Sequence, residues 1–331
     1  MPDDITQTQI DILNLLKDQN ENWTSPKSLG ERFHLSTKKV NQSLSELLRW
    51  GYRFETSRRG EVRFQTAPDI LFPHEIARGL KAQILGKEIH GFRSVSSTNA
   101  VAHRHAIKNA PDGTIIVAGR QTAGRGRLGR TWMSPPKLGI YLSVILRPTV
   151  VPAQAPGLSL VAALSVAEAI RHYPGLSAMI KWPNDVLVNG KKAAGVLTEL
   201  SAELDRINFV VIGIGINVNH EPKDFPAELA DKATSLQIEQ GCPVDRVRLV
   251  QEVLLHLEKR YLQFLRNGLK DQLKAIKDYS SILGRHISVR HGNKTMVGTA
   301  IDIDVDGALV VNIDKRTLRL SSGEISLTES Y

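Results

Sequence analysis

The spacing of apolar residues divides this chain into three stretches. In residues 1–66 it is first helical: Ile5, Ile10, Ile12, Leu13, Leu15 and Leu16 recur near a 3.6-residue period. Trp23-Thr-Ser25-Pro26 then starts a second helix, Pro26 to Phe33, with Ser25 as N-cap and Pro26 at the first helical position. His34-Leu35 make a turn. Ser36 caps a third helix, Thr37 to about Trp50, whose inward face is Val40, Leu44, Leu47 and Leu48. After Gly51 the period changes to two. Tyr52 to Thr56 and Glu61 to Phe64 alternate around Ser57-Arg58-Arg59-Gly60, which predicts a β-hairpin.

Gln65 to Pro73 carries prolines and no continuing period, so it reads as a linker. The second stretch, residues 67–280, mixes both periods. It predicts a helix over Glu75 to Leu85 and a strand over Lys87 to Val95. A helix from Ala100 to Lys108 follows, opened by Ser96-Ser97-Thr98-Asn99. Strands are expected at Thr114 to Ala118 and Leu138 to Leu146, and an Ala- and Leu-rich helix at Pro152 to His172. Val186 to Val188 and Lys191 to Leu200 flank Asn189-Gly190, a strong type I′ hairpin signal. Ile207 to Asn217 (INFVVIGIGIN) reads as a central strand, with Gly213 and Gly215 where a ligand or another backbone comes close. A loop is expected over Asn219 to Leu236, an amphipathic helix over Asp245 to Asn267, and a shorter helix to about Ser280. Residues 281–331 hold short alternating segments broken at Gly292-Asn293 and Asp306-Gly307, a small β-barrel or sandwich of accessory size.

Charge and chemistry sharpen this outline. The 331 residues carry a formal charge of +9, which suits an anionic partner such as nucleic acid or nucleotide. Cys242 stands alone, so no internal disulfide can form, as expected of a cytoplasmic protein. The acidic N-terminus lacks a signal-peptide layout, and no membrane span is expected. Three helices and a hairpin resemble a winged helix-turn-helix. Between Lys27 and Arg63 there are nine basic and four acidic side chains. In that geometry Thr37, Lys38, Lys39, Asn41 and Gln42 face the major groove of DNA, and Arg58 and Arg59 sit on the wing. The other reading is a winged helix used for protein contacts.

The densest chemistry is Gly119 to Ser134, GRQTAGRGRLGRTWMS. It places a GxGxxG at Gly124, Gly126 and Gly129, interleaved with Arg120, Arg125, Arg127 and Arg130. Glycines let backbone approach a ligand, and arginines offer forked donors to phosphate or carboxylate. A Rossmann turn would need a helix opening on the glycines. Pro135-Pro136 and a strand follow instead, and a Walker loop would need GK[ST]. A basic surface loop remains the plain alternative. Ser97 to Asn99 can simply cap a helix, and Lys192, beside the Asn-Gly turn, can simply be a solvated charge.

GRGRLGRTW-SP, followed by KWPNDVLVNGKKAAGVLTEL and GIGINVN, closely resembles the biotin–protein ligases, and the resemblance covers the whole chain. The winged helix, central mixed-sheet α/β domain and SH3-like C-terminal barrel resemble the bifunctional class, at once ligase and biotin operon repressor. The resemblance implies that biotin and ATP, with Mg²⁺, form biotinyl-5′-AMP. Biotin then passes to a lysine of an apo biotin carboxyl carrier protein. It further implies that biotinyl-5′-AMP is the corepressor, favouring a homodimer through edge strands that binds operator DNA. By the same resemblance Ser97, Thr98, Asn99, Gln121, Arg125, Gly126, Arg127, Lys192, Gly195 and Leu197 hold biotin. Arg127, Arg130, Trp132, Lys181, Asn184 and Asn217 hold the nucleotide. Lys192 and Arg127 are the catalytic pair, and Asp185 organises Mg²⁺. Leu128 and Thr328 depart from the family pattern, where charged and basic residues are common; Thr328 bears on a C-terminal contact to ATP. A lipoate or octanoate ligase shares the architecture but lacks the two motifs. A purely ligand-sensing transcription factor would have lost Arg125, Arg127 or Lys192.

Overall fold

A computed structural model of the protein describes residues 5–19, 22–291, 294–314 and 316–327. The chain forms two compact units, one ending at Ile70 and one beginning at Leu71. The first contains α1 (Gln7–Asp18), α2 (Pro26–Phe33), α3 (Thr37–Arg49) and the hairpin β1 (Arg53–Thr56) and β2 (Val62–Thr66). Side-chain caps start each helix. Thr6 and Gln9 form a capping box on α1, Ser25 accepts from the Ser28 amide, and Ser36 accepts from the Lys39 amide. The core is Ile12, Leu16, Leu29, Val40, Leu44 and Val62. Leu48, expected inside, is 43% exposed, because Val40, Leu44 and Leu47 already complete the stripe on α3.

The second unit begins with α4 (Pro73–Ala77), then β3 (Ile89–Phe92), α5 (Thr98–Ile107), β4 (Ile115–Ala118) and β5 (Gly139–Leu146). Next come α6 (Gly157–Arg171), β6 (Ala178–Lys181), β7 (Asp185–Val188), β8 (Lys191–Ala202) and β9 (Ile207–Asn217). It continues with α7 (Leu236–Gln240), α8 (Arg246–Asn267), α9 (Leu273–Asp278), β10 (His286–His291), β11 (Lys294–Ile303), β12 (Leu309–Ile313), β13 (Arg316–Leu320) and β14 (Glu324–Leu327). The expected helix over Glu75 to Leu85 stops after one turn. Gly79 turns the chain at φ +94°, and the amides of Gln83, Ile84 and Leu85 donate to the Glu258 carboxylate at 2.6–2.8 Å instead of to helical carbonyls. The strand expected from Lys87 shortens to the four residues that pair with β4. The helix expected from Pro152 begins as a 3₁₀ turn, and the α-helix starts at Gly157.

A seven-stranded mixed sheet runs β3-β4-β5-β9-β8-β7-β6, parallel only between β3 and β4. Strand alternation sorts its faces. Ile140, Leu142, Val144, Ala194, Val196, Ile212, Ile214 and Ile216 point to the face covered by α6 and α8. Ile145, Phe209, Val211 and Ile116 pack under α5 on the other face, at one end. The rest of that second face is the floor of the site described below. Among the described residues one helix, Pro152–Arg171, has the length and hydropathy of a membrane span, but most of it is the buried core helix α6.

The C-terminal strands form an antiparallel sheet, β13-β12-β11-β10-β14, matching the SH3-like domain expected. Ile287, Val289, Leu309 and Val311 join the same core as α6, the Trp182 indole N–H donates to Gly307 O at 2.9 Å, and Lys277 meets Asp302 at 2.6 Å. The Gly292-Asn293 turn and Thr328 lie outside the described residues.

Candidate functional site

Residues on the open face of the sheet are out of register with the core positions. On β9 they are Gly213, Gly215 and Asn217, on β8 Gly195, Leu197 and Glu199, and on β5 Tyr141 and Ser143. Gly195 pairs with Gly215 and Leu197 with Gly213, so the centre of the floor is nearly bare backbone. Its glycines are sterically required. A Cβ on Gly213 would overlap Asn99 Oδ1, and one on Gly215 would stand 2.5 Å from the Trp132 indole.

One wall is the start of α5. Ser97, Thr98 and Asn99 are buried, yet Ser97 makes no side-chain cap bond. Thr98 donates twice to Gln121 Oε1, from its amide at 2.8 Å and its hydroxyl at 3.1 Å; Gln121 Nε2 donates to Ser134 Oγ at 2.9 Å. Asn99 Nδ2 donates to Glu199 at 2.7 Å, and Ser143 Oγ lies 2.6 Å from Asn99 Oδ1. The plain alternative, a helix cap, does not describe these residues: Ser97 makes no cap bond, and the Thr98 and Asn99 side chains bond to Gln121, Ser143 and Glu199. Ser134, Ser143 and Glu199 were not singled out in the sequence. The signal was there for Ser143, a polar position on the otherwise apolar strand β5, but not for Glu199, which has polar neighbours on β8.

The roof is the glycine and arginine loop. A single 3₁₀ turn at Arg127–Gly129 is held by Gly126 N to Arg130 O at 2.7 Å and Trp132 N to Gly124 O at 2.9 Å. Leu128 takes φ +57° and is exposed. The loop encloses, with Leu197 and Glu199, a cleft of about 510 Å³. Arg127 Nη1 donates to Asn184 Oδ1 at 3.0 Å, and Asn184 is fixed by two bonds to Val196, its Nδ2 to Val196 O at 2.7 Å and Val196 N to its carbonyl at 2.9 Å. Burial holds the Arg127 guanidinium and the Lys181 ammonium below their ordinary values. Arg130 pairs with Glu324 of the C-terminal sheet. Lys192 Nζ lies 2.6 Å from Asp185 Oδ1 and 5.4 Å from the centre of the Trp132 ring. Lys192 is thus paired within the site rather than standing alone beside the turn.

Thus Arg127, Arg130, Lys181 and Lys192 gather around two carboxylates, Asp185 and Glu324, leaving a surplus of positive charge. The Trp132 indole N–H is buried without a hydrogen-bond partner. The indole packs over Gly215 and Gly195, where a Cβ would meet it. Arg125 is exposed and bridges to Thr131 across the loop. Asn217 stands apart: its amide donates to Thr234 O at 3.1 Å and braces the following loop. In the first unit Thr37, Lys38, Lys39, Asn41, Gln42, Arg58 and Arg59 are all exposed.

A mixed sheet whose bare, glycine-floored face is roofed by a cationic loop, on a chain with a winged helix, defines a carboxylate-activating ligase carrying a DNA-binding unit. Residues 91–217 match the model of the Biotin/lipoate A/B protein ligase family, and 282–328 that of the Biotin protein ligase C terminal domain. The chain is 38% identical over 317 residues to the bifunctional ligase/repressor BirA of Bacillus subtilis, covering 96% of this chain and 98% of that one. It is 35% identical over 271 residues to the biotin–[acetyl-CoA-carboxylase] ligase of Mycobacterium tuberculosis, covering 78% of this chain and 98% of that one. The biotin protein ligase from Aquifex aeolicus, solved in complex with biotin and ATP, superposes with a TM-score of 0.64 at 33% identity, over 74% of this chain and all of that one. The chain belongs to the biotin protein ligase family, in its bifunctional ligase/repressor branch.

Proposed function

We infer that this protein activates biotin with ATP, transfers it to a carrier lysine, and represses transcription with biotinyl-5′-AMP as corepressor. The observation that carries the ligase reading is the cluster around Lys192. It lies within reach of the glycine floor at one side and of Arg127 and Lys181 at the other. Biotin takes the floor: Ser97, Thr98, Asn99 and Gln121 supply polar partners to its ureido ring, and Gly195 and Leu197 line its apolar body. ATP lies toward Arg127, Arg130, Trp132, Lys181 and Asn184. Asn217, braced to Thr234, supports the nucleotide side through the loop it holds.

In the first step a biotin carboxylate oxygen attacks the α-phosphorus of ATP and pyrophosphate leaves. Two anions must be brought together, and Lys192 with Arg127 offsets their repulsion and the charge developing on phosphorus. Half-buried cations act strongly here, since water screens them little. Asp185 is one carboxylate beside the expected phosphates. That fits Mg²⁺ held through a single carboxylate and the triphosphate, where it would neutralise phosphate charge. In the second step the carrier lysine amine attacks the acyl carbonyl and AMP leaves. Arg125, Gly126 and Trp132 on the roof keep water from the mixed anhydride.

The test uses the purified chain with biotin, ATP, Mg²⁺ and an apo carrier domain, read by intact mass. One biotinyl group is expected on the carrier. Lys192→Ala should lower the rate at least about a hundredfold. An unmodified carrier with the wild-type chain overturns the ligase reading.

For repression, α3 lies in the major groove through Thr37, Lys38, Lys39, Asn41 and Gln42, and the wing reaches the backbone through Arg58 and Arg59. The operator-binding form is a homodimer. Supporting this, β8 continues to Ala202 while β7 pairs with it only as far as Gly195, so the outer part of β8 has a strand edge to share; Leu200 beside it is exposed. Sedimentation with biotin and ATP should show dimer where the ligand-free chain is more monomeric. An unchanged mass would count against it.

A further inference from the structure

Away from the site, on the outer face of α6 and α8, three side chains converge in a way the ligase reaction does not use. His172 caps the C-terminal end of α6, and Glu252 and His256 stand one turn apart on α8. One ligand atom from each lies within 4.8 Å of the others. His256 Nε2 is 3.4 Å from His172 Nδ1, and His172 Nδ1 is 3.7 Å from a Glu252 oxygen.

We propose that His172, Glu252 and His256 form a site for a divalent transition-metal ion of the zinc type, a staple between α6 and α8. Two imidazole nitrogens bound at the usual zinc distance in a tetrahedron are separated by about 3.4 Å. The His256–His172 distance already matches that spacing, and the Glu252 oxygen at 3.7 Å from His172 Nδ1 is close to it. Both nitrogens of the pair cannot keep a lone pair toward each other comfortably without a shared proton or a cation between them.

The surroundings follow the pattern of a metal site. The other nitrogen of His256, Nδ1, lies 3.2 Å from Glu168 Oε2, so a proton there fixes the tautomer that leaves Nε2 free to ligate. Glu168 is itself held by Arg260, whose Nε donates at 3.1 Å. Arg260 neutralises Glu168, which leaves Glu252 as the carboxylate that offsets the ion's charge. The negative end of the α6 dipole at His172 favours a cation as well. His172 is more than half exposed while His256 and Glu168 are largely covered, so the site has an entry path and room for water as fourth ligand. Two imidazoles and one carboxylate select zinc, nickel or copper over magnesium, so this site is chemically distinct from any Mg²⁺ carried with ATP.

The experiment titrates the full-length, EDTA-treated protein with Zn²⁺, without nucleotide, by calorimetry and by thermal unfolding. The wild type should bind one more equivalent than a His172→Ala/His256→Gln variant. At a hundred times its Kd, Zn²⁺ should raise Tm by roughly 5–10 °C, a rise absent in the variant and with Mg²⁺. Co²⁺ should give visible absorption of tetrahedral intensity only with the wild type. Glu252→Gln should weaken Zn²⁺ binding about tenfold or more. Carrier biotinylation by the variants, measured without Zn²⁺, should equal that of the wild type, which confirms that they fold. Equal Zn²⁺ stoichiometry in wild type and variant, or an unmoved Tm at saturating Zn²⁺, overturns the proposal.

Discussion

His220 shows how a single buried residue can set the acid limit of a fold. It lies three residues past the end of β9, is 1% exposed, stacks on Phe225 at 5.3 Å, and has no hydrogen-bond partner on either ring nitrogen. Burial pushes its pKa from the usual 6.5 down to about 4, against the attraction of Asp224 and helped by the repulsion of Arg246. The unfolded chain therefore takes up the proton first. The stability this ring contributes is fully present above pH 6.5 and is lost as pH falls toward 4, where the loss levels off. Unfolding free energy measured by urea titration should drop by about 3 kcal/mol across that window from this group alone. His220→Phe keeps the stacking and removes the titration, so its curve should be flatter over the same range. Parallel curves for the two proteins would show that His220 is not the group responsible. Nothing in the local pattern INVNHEP announces this residue as buried. Its burial depends on Phe225 and on the loop braced by Asn217 and Ser235, contacts made by the folded backbone. The active positions were legible to different degrees for similar reasons. Lys192 and Asp185 sit in one hairpin whose Asn-Gly turn fixes their register, so their meeting is local. Ser143 and Glu199 come from strands separated by a long connection and meet only through the Asn99 side chain.

At the scale of elements, alternation and turn chemistry carried most of the sheet, because period two and Asn-Gly act within a few residues. The failure at Glu75 to Leu85 has a long-range cause. Its residues have adequate helix propensity, yet Glu258, on α8 and 173 or more positions away, offers its carboxylate to three amides in a row. Those bonds replace the helical ones and hold the segment as an irregular strap over α8. Glu258 is 7% exposed, so its removal would strand three N–H groups away from water. Glu258→Ala should cost on the order of 3–5 kcal/mol, more than deletion of an apolar side chain of similar reach, and Glu258→Gln should recover only part. Urea denaturation measures this directly. A loss below about 1 kcal/mol would mean that water or rearranged backbone satisfies the strap, and that helix formation there is suppressed for some other reason.

At the scale of the whole molecule, two cores serve two activities. The apolar cluster of the winged helix runs from Ile12 to Val62, and every buried member of the other two clusters lies at or beyond Leu71. Among the described residues, each of the three clusters draws its buried members from one unit alone. The C-terminal strands are different: Ile287, Leu309 and Ile325 belong to the same cluster as α6 and the sheet, and Glu324 reaches the roof of the site. The two ends of the chain should therefore respond oppositely to truncation. Deleting residues 1–66 removes the exposed basic face of α3 and the wing but no part of the sheet core. Operator binding, read by gel shift, should vanish, while carrier biotinylation stays within a few-fold of wild type. Deleting residues 281–331 strips core contacts from α6 and the partner of Arg130, and should abolish ligation with partial unfolding visible by circular dichroism. A folded but inactive product of the N-terminal deletion would break the modular reading. It would mean that the winged helix contributes to catalysis through contacts that the separation of the cores does not require.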